Sequence, residues 1–278
     1  RSHQYITVVY DMDRNRVVWV HDKHGRDVFE MFCKQLTPEE RENAELVNRL
    51  DISLKHVHFF NMDEYLVTPD RPIDPQDALS FHGRMDRAFY SRVLSELVMP
   101  ESQRHFPEPG HEAEYDQLIS DLGGADACFG GLGINGHIAF NEPPEAGDTV
   151  TAKEFAALGT RVLPISRETR TINANGYLRG DIRSMPRYCI TIGMKQILSA
   201  RRVYIALSAP WQHGIARHVF EDPIQPQIPA SLLRLRDQGV DSIDLVTGAH
   251  YIPAIAEALS GMYTCTRPSS CRRLSTQI

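Results

Sequence analysis

The first segment that could carry chemistry is NMDEY, residues 61–65, which directly follows the apolar stretch VHFF. An aspartate at the end of a buried strand is well placed to act as a general base, so Asp63 is a candidate catalytic residue. The same residues also suit a helix cap or a turn, because short acidic side chains accept hydrogen bonds from free backbone N–H groups. The segment alone leaves both interpretations open for Asp63 and Glu64, and capping is the commoner of the two.

The second segment is a glycine-rich loop, GGLGINGHIAFNEP, which runs from residue 130 to residue 143. Glycines after a strand let the backbone approach a ligand closely and offer N–H groups to an oxyanion or a phosphate. The candidate substrate-binding glycines are Gly131, Gly133 and Gly136. The spacing matches neither a nucleotide P-loop nor a dinucleotide fingerprint, so it indicates no nucleotide cofactor. His137 can exchange protons near neutral pH, and Glu142 is a candidate for orienting it.

Other histidines and the cysteines give weaker signals. His21-x-x-His24 and His56-x-His58 are histidine pairs, but neither has further Cys or His residues nearby at the spacing of zinc ligands. We therefore expect no metal and no organic cofactor. The five cysteines are scattered without a C-x-x-C pair, which is typical of reduced thiols in a cytoplasm rather than of a disulfide framework.

Composition and charge restrict the class of protein. The chain has 278 residues, of which 42% are hydrophobic and 24% are charged, so it has enough apolar mass for a globular core. Its net charge of -6 argues against a nucleic-acid-binding surface. No apolar run approaches the ~20 residues that cross a bilayer, and no signal-peptide pattern opens the sequence. We expect a cytoplasmic protein that binds neither nucleic acid nor membrane; the sequence is compatible with a homo-oligomer.

NMDEY and the glycine-rich loop are far apart in the sequence, so secondary-structure elements must bring them together. The apolar pattern predicts strands that alternate with helices. The predicted strands lie within 55–62, Cys128–Leu132, Arg202–Leu207 and Val240–Val246, and the predicted helices over Leu79–Leu97 and Tyr115–Leu122. Such alternation favours an α/β fold: a three-layer α/β/α domain with a mostly parallel, Rossmann-like sheet. Because ligands bind at the carboxyl ends of parallel strands, we expect Asp63, His137 and Glu142 to converge on one cleft.

The beginning and the end of the chain follow other patterns. Tyr5 to Val20 predicts a β-hairpin, and Asp27 to Leu36 has the apolar spacing of a helix. The stretch after Tyr263 has no periodicity and is expected to be partly disordered.

Taken together, the motifs resemble those of the glucosamine-6-phosphate deaminase (isomerase) family. The resemblance extends from about Ala44 to about Tyr251 and is carried by FFNMDEYL, SFHGRMDRAFYSRV, GLGINGHIAFNEP, TRVLPISRETRTINAN, YCITIGMKQIL and VTGAHY. Sugar lactonases on the same fold have different residues at HIAFNEP and MDEY. The expected organisation is a deaminase-like domain over residues 44–252, preceded by a segment of residues 1–43 and followed by a tail of residues 253–278.

The resemblance implies a reaction and a role for each candidate residue. The expected enzyme is a hydrolase and isomerase of amino-sugar catabolism, which converts glucosamine 6-phosphate to fructose 6-phosphate and ammonia. Asp63 matches the family's base, which removes the C2 proton of the open-chain sugar. His137 matches the proton shuttle that opens the ring, and Glu142 matches the acid that works with it. Arg170 matches an arginine that binds the sugar phosphate. Asn135 stands where the family often has an acid, and its oxygen can accept a hydrogen bond from the histidine and fix the tautomer of the ring.

Two further features depart from the family pattern. A lysine is expected near the start of the helix after RRVYIALS, and Gln212 or His213 occupies that register. The family's opening strand and its T-G-G-T-P phosphate loop have no counterpart upstream of Ala44, where residues 1–43 instead resemble a fragment of an insertion-sequence transposase. Val17 to Val20 is one candidate for the vacant strand position.

These departures lead to an expectation of impaired activity, because a phosphate dianion needs several converging donors. The alternatives are a catalytically weak, sugar-phosphate-binding remnant and a galactosamine-6-phosphate deaminase. A transposon-derived nucleic-acid-binding protein is disfavoured by the acidic balance and by the candidate catalytic residues.

Overall fold

The computed structural model describes residues 7–11, 16–21, 44–45, 47–207, 211–238 and 243–247. Its strands are β1 (Thr7–Asp11), β2 (Arg16–His21), β3 (Phe59–Phe60), β4 (Asp63–Thr68), β5 (Arg71–Pro72), β6 (Arg104–His105), β7 (Ala127–Gly131), β8 (Arg161–Pro164), β9 (Tyr188–Thr191), β10 (Arg202–Leu207) and β11 (Ile243–Thr247). Its α-helices are α1 (Phe81–Met85), α2 (Glu112–Asp121), α3 (Ala152–Ala156), α4 (Arg167–Tyr177), α5 (Met194–Ser199) and α6 (Gln212–Glu221). Within this part of the chain, every helix is too short or too polar to span a bilayer.

Three strands form a parallel sheet in the order β11-β10-β7, and β3 and β6 form a second parallel pair. The three strands predicted at Cys128, Arg202 and Val240 are confirmed, with boundaries that differ by at most three residues at the start. In the stretch 55–62, by contrast, only Phe59 and Phe60 form a strand. The predicted helix at Tyr115 is confirmed as α2, which begins three residues earlier.

Both faces of the parallel sheet are covered, as a three-layer fold requires. Along β7, Cys128 packs with α2, α5 and α6 in one core, whereas Phe129 points to the other face and packs with residues of the segment around α1. Tyr204 of β10 stacks on Phe129 with ring centroids 4.9 Å apart, and its neighbours Val203 and Ile205 lie in the first core. This alternation follows from the period of two residues in a strand.

A four-stranded antiparallel sheet, β5-β4-β9-β8, was not foreseen. NMDEY was predicted to follow the end of a strand, but Asp63 is the first residue of a further strand, β4. The polar residues of β4 concealed it: Glu64 is buried among hydrogen-bond donors from α1, so it breaks the apolar signal without breaking the strand.

The long helix predicted over Leu79–Leu97 is wrong. It is α1, followed by a π-helical turn at Asp86–Tyr90 and then by turns. The hydroxyl of Ser91 and the guanidinium of Arg92 both donate to the carbonyl of Arg87. Side chains that bond nearby carbonyls compete with regular helical hydrogen bonding, which accounts for the early end.

The predicted hairpin at the start of the chain is confirmed as the antiparallel pair β1–β2. Strand β2 pairs with β1 in a sheet of its own, so among the described strands Val17–Val20 does not occupy a position in the parallel sheet. The helix expected over Asp27–Leu36, the end of the domain at residue 252 and the tail after it lie outside the described residues.

Candidate active site

Of the two acids in NMDEY, Glu64 is the helix cap. The residue is 4% exposed, and its carboxylate accepts hydrogen bonds from the backbone N–H groups of Phe81 (3.0 Å) and His82 (2.8 Å) and from the hydroxyl of Ser80 (2.8 Å). Ser80 in turn caps α1 by accepting from the N–H of Gly83. The capping interpretation therefore holds for Glu64, which leaves Asp63 available for chemistry.

Asp63 has the properties of a base that works near neutral pH. Burial and, to a smaller extent, the neighbouring Glu64 carboxylate raise the pKa of Asp63 to about 7. Within the described part of the chain, no hydrogen bond to its carboxylate offsets this effect. A carboxylate that is desolvated and lacks donors holds a proton more tightly, so it is a stronger base than an ordinary aspartate.

The backbone just before Asp63 is fixed by residues that the sequence analysis did not single out. Asn61 donates its side-chain amide to the carbonyl of His105 (2.9 Å), and its own carbonyl accepts from the hydroxyl of Tyr115 (2.7 Å). Asn61 is adjacent to the candidate base in NMDEY, which was the available signal. Tyr115 contacts it across 54 residues of sequence, so no local pattern could have revealed it.

The glycines shape the loop after β7, in which Gly131 is the last residue of the strand. The N–H of Gly133 donates to the carbonyl of His137 (2.9 Å), and that of Gly136 donates to the carbonyl of Gly133 (3.0 Å). The expectation of free N–H groups is therefore wrong for Gly133 and Gly136. A Cβ at Gly133 would overlap the imidazole of His137, and Gly136 has a φ of +86°, so both positions need glycine for space or backbone conformation.

Two apolar side chains anchor the loop on opposite sides of the histidine. Ile138 is fully buried in the core with α2, α5 and α6, while Phe140 is buried in the core between the antiparallel sheet and α4. Asn141 adds two hydrogen bonds from its amide, to the carbonyls of Ile138 (3.0 Å) and Ile192 (2.9 Å). The loop is thus held rigidly on both sides of His137.

His137, Asn135 and Glu142 form one hydrogen-bonded group. The amide nitrogen of Asn135 donates to Oε2 of Glu142 (2.7 Å), which points the amide oxygen at Nδ1 of His137, also 2.7 Å away. An amide oxygen only accepts, so Nδ1 must carry the proton and Nε2 is the basic nitrogen. Burial lowers the pKa of His137, and the Glu142 carboxylate, 3.6 Å from Nδ1, offsets this in part. The ring is therefore neutral at pH 7 and can accept a proton at Nε2.

Asp63 belongs to another element, the strand β4, which is connected to the histidine loop through β9. Asp63 pairs across the sheet with Thr191, whose hydroxyl accepts from the N–H of Phe140 in the histidine loop (3.0 Å). Burial raises the pKa of the Cys189 thiol, and the charges of Asp63 and Glu142 raise it further, so both carboxylates are near the same thiol. These contacts link Asp63 to the loop that carries His137 and Glu142, and the convergence of the three side chains on one cleft stays a prediction.

Arg170 is on α4 and does not touch the other candidates through a hydrogen bond in the described structure. Its guanidinium donates to the carbonyl of Ile182 (3.0 Å) and more weakly to that of Met185 (3.5 Å). Its Nε–H is buried without a partner. A buried donor without an acceptor is costly, by roughly 1–3 kcal/mol, so this group is suited to an anion.

His58, Gln212 and two of the cysteines make contacts that support the fold rather than the site. No group of three or more metal-ligating side chains occurs among the described residues. His58 bonds His105 rather than His56. Gln212, in the register of the expected lysine, is buried and donates to the carbonyl of Leu132 (2.8 Å). Cys128 and Cys189 are buried core residues.

Comparisons with known proteins agree with this fold. No family model matches the chain. It is 32% identical over 201 residues to a glucosamine-6-phosphate deaminase of Lachnoclostridium phytofermentans, covering 70% of this chain and 77% of the relative. It is 30% identical over 217 residues to glucosamine-6-phosphate deaminase 1 of Bacillus subtilis, covering 75% and 81%. Among solved structures, a monomeric glucosamine-6-phosphate deaminase of the NagB superfamily matches with a TM-score of 0.63 and 25% identity, covering 77% of this chain and 82% of that one.

The fold and these likenesses define an α/β enzyme of the NagB type. The chain belongs to the glucosamine-6-phosphate deaminase family. The relatives are deaminases, so the hydrolase part of the expected class finds no support in them. The comparisons also give no support to a transposase origin of residues 1–43, which stays a prediction.

Proposed function

We propose that this protein converts glucosamine 6-phosphate to fructose 6-phosphate and ammonia. The observation that carries the proposal is a candidate base, Asp63, with its pKa raised to about 7, together with a neutral histidine, His137, whose Nδ1–H faces Asn135 so that Nε2 is the basic nitrogen. The reaction needs both functions, because the sugar ring must open before a carbon proton can be removed.

We assign the proton transfers at the ring and at C2 to different residues. His137 takes and returns protons at Nε2 as the ring opens, and Glu142 acts with it through Asn135. Asp63, ionised above pH ~7, removes the proton from C2 of the open-chain sugar and leaves an enolamine. Return of a proton to C1 gives an imine, and water then replaces the nitrogen and releases ammonia. No step in this sequence calls for a metal or an organic cofactor.

Arg170 is the proposed ligand of the sugar phosphate. Its buried Nε–H without an acceptor supports this role, since a phosphate oxygen would satisfy it. Gly131, Gly133 and Gly136 contribute by letting the substrate approach the backbone rather than by donating hydrogen bonds at Gly133 and Gly136. The proposed location is the cytoplasm, where the phosphorylated amino sugar would be supplied.

A specific observation favours a second candidate, a sugar-phosphate-binding protein with weak turnover. Nη2 of Arg170 already donates to the carbonyl of Ile182, and the N–H groups of Gly133 and Gly136 already donate to other carbonyls. Few donors in the described structure are therefore left to bind a phosphate. Each missing charge-assisted bond weakens binding by roughly 1.5–3 kcal/mol.

The deciding experiment measures ammonia release from glucosamine 6-phosphate, with galactosamine 6-phosphate as the epimeric alternative. The expected result is release of ammonia that Asp63→Asn abolishes, with fructose 6-phosphate formed in equal amount. Binding of either sugar phosphate in calorimetry without turnover would support the remnant instead. Preferential turnover of galactosamine 6-phosphate would reassign the substrate, and neither binding nor turnover would refute both functions.

A further inference from the structure

The N-terminus of α4 carries two hydroxyl residues, Ser166 and Thr169, which face the histidine loop. We refer to them as the hydroxyl pair. The N–H of Ser166 donates to Oε1 of Glu142 (3.3 Å), and its Oγ accepts from the amide of Asn135 (3.4 Å). Oγ1 of Thr169 lies 3.3 Å from Nδ1 of His137, and the residue is 1% exposed. The pair therefore contacts every member of the group that holds the imidazole.

The positions of the hydrogens follow from the partners. Oγ of Ser166 accepts from the N–H of Thr169 (3.2 Å) as well as from Asn135, so both of its lone pairs are used. Its own hydrogen is then directed at Oγ1 of Thr169, 3.1 Å away. That leaves a lone pair on Oγ1 to face the Nδ1–H of His137, as a second acceptor beside Asn135.

Helix capping explains only half of this arrangement. The cap itself is the bond from the N–H of Thr169 to Ser166, and it would form with any side chain at position 169. Capping gives no reason for a buried hydroxyl turned towards an imidazole. Because Asn135 is neutral, a proton arriving at Nε2 of His137 is not balanced by a carboxylate bonded directly to Nδ1, so additional acceptors at Nδ1 stabilise the imidazolium.

We propose that Ser166 and Thr169 are positioning residues, which hold the His137 ring in its Nδ1–H tautomer and stabilise the imidazolium formed during ring opening. This inference rests on the proposed function for its kinetic consequences, but its structural part does not. Neither residue was a sequence-based candidate, although S-R-E-T before a helical stretch was the signal present in the chain.

The kinetic test is Thr169→Val, which removes the hydroxyl and nearly keeps the shape. We expect kcat to fall by about three- to tenfold, the effect of one lost hydrogen bond, with KM changed less than twofold. The conservative Thr169→Ser should recover most of the rate. The matched control is Thr171→Val on the same helix, since Thr171 is exposed and bonds only the carbonyl of Arg167 in the described structure. An unchanged kcat in Thr169→Val, or an equal loss in Thr171→Val, would overturn the proposal.

A second measurement does not depend on turnover and separates this inference from the proposed function. Nitrogen-15 NMR of the imidazoles, with His137 assigned by comparison with His137→Gln, reports both the tautomer and the titration of the ring. We expect the Nδ1–H tautomer in the unaltered protein. In Thr169→Val we expect a smaller share of that tautomer and a pKa lower by about half a unit, because the charged ring loses an acceptor. An inactive protein with these shifts would refute the proposed function alone, whereas unchanged spectra would refute the positioning role.

Discussion

Asp63→Asn should stabilise the protein at alkaline pH while it abolishes turnover. The pKa of Asp63 is raised from 3.8 to about 7, mainly by burial and secondarily by Glu64. Between these two pH values the folded chain keeps a proton that the unfolded chain has lost. Stability therefore falls as pH rises from about 4 to about 7, and the full loss is present above about pH 7. Asparagine at position 63 carries no charge, so the Asp63→Asn protein does not lose this stability at high pH.

The magnitude follows from the difference between the two pKa values. About three pH units at 1.36 kcal/mol each give an upper value of about 4 kcal/mol. Asp63 is only partly shielded from solvent, so we expect about 2–4 kcal/mol at pH 8 and no gain at pH 4. For a chain of this size the gain corresponds to a rise in melting temperature of about 2–4 °C per kcal/mol.

The assay is thermal or urea unfolding of Asp63→Asn and the unaltered protein at pH 4, 6 and 8. Asp148→Asn, a change at an exposed aspartate, serves as the control and should be neutral at each pH. Sugar-phosphate affinity should be largely retained, because the base acts on a carbon proton in the transition state and contributes little to ground-state binding. A stability difference that is the same at pH 4 and pH 8 would refute the reasoning, since it would not come from ionisation of this carboxyl group.

Three further substitutions test the support around the base and the histidine. Glu64→Gln should destabilise the fold by about 2–4 kcal/mol in urea unfolding, because an amide NH₂ would face the N–H of His82, and the exposed Glu96→Gln should have little effect. Asn135→Asp should raise the pKa of the neighbouring imidazole by about one unit in an NMR titration, since it places a carboxylate at Nδ1; a decrease would contradict the assigned geometry. Gly133→Ala should lower kcat by roughly 100-fold by displacing the imidazole, whereas Gly176→Ala, which has open space around it, should not.

The parts of the fold that the sequence predicted are those with a local signal. After Arg202, VYIAL is a continuous apolar run, and β10 has the predicted boundaries. The strand β4 was missed because its buried acid, Glu64, is neutralised by donors 16 to 18 residues further along the chain, and no window of neighbouring residues shows that compensation. The residues of the candidate site also differ in whether a local sequence signal reveals them. Asp63 and His137 stand in recognisable motifs, whereas Thr169 contacts the histidine across 32 residues.

The two carboxylates of the site can have separate tasks because their surroundings differ. Glu142 accepts hydrogen bonds from Asn135 and from the N–H of Ser166, which fix the orientation of its carboxyl group. Asp63 receives no such bond within the described structure and is desolvated, so it binds a proton near neutral pH. Burial, and to a smaller extent the charges of Asp63 and Glu142, raise the pKa of the Cys189 thiol, so this group stays uncharged. Unequal hydrogen bonding thus holds Glu142 in place next to the histidine and makes Asp63 a base that can take up and release a proton near pH 7.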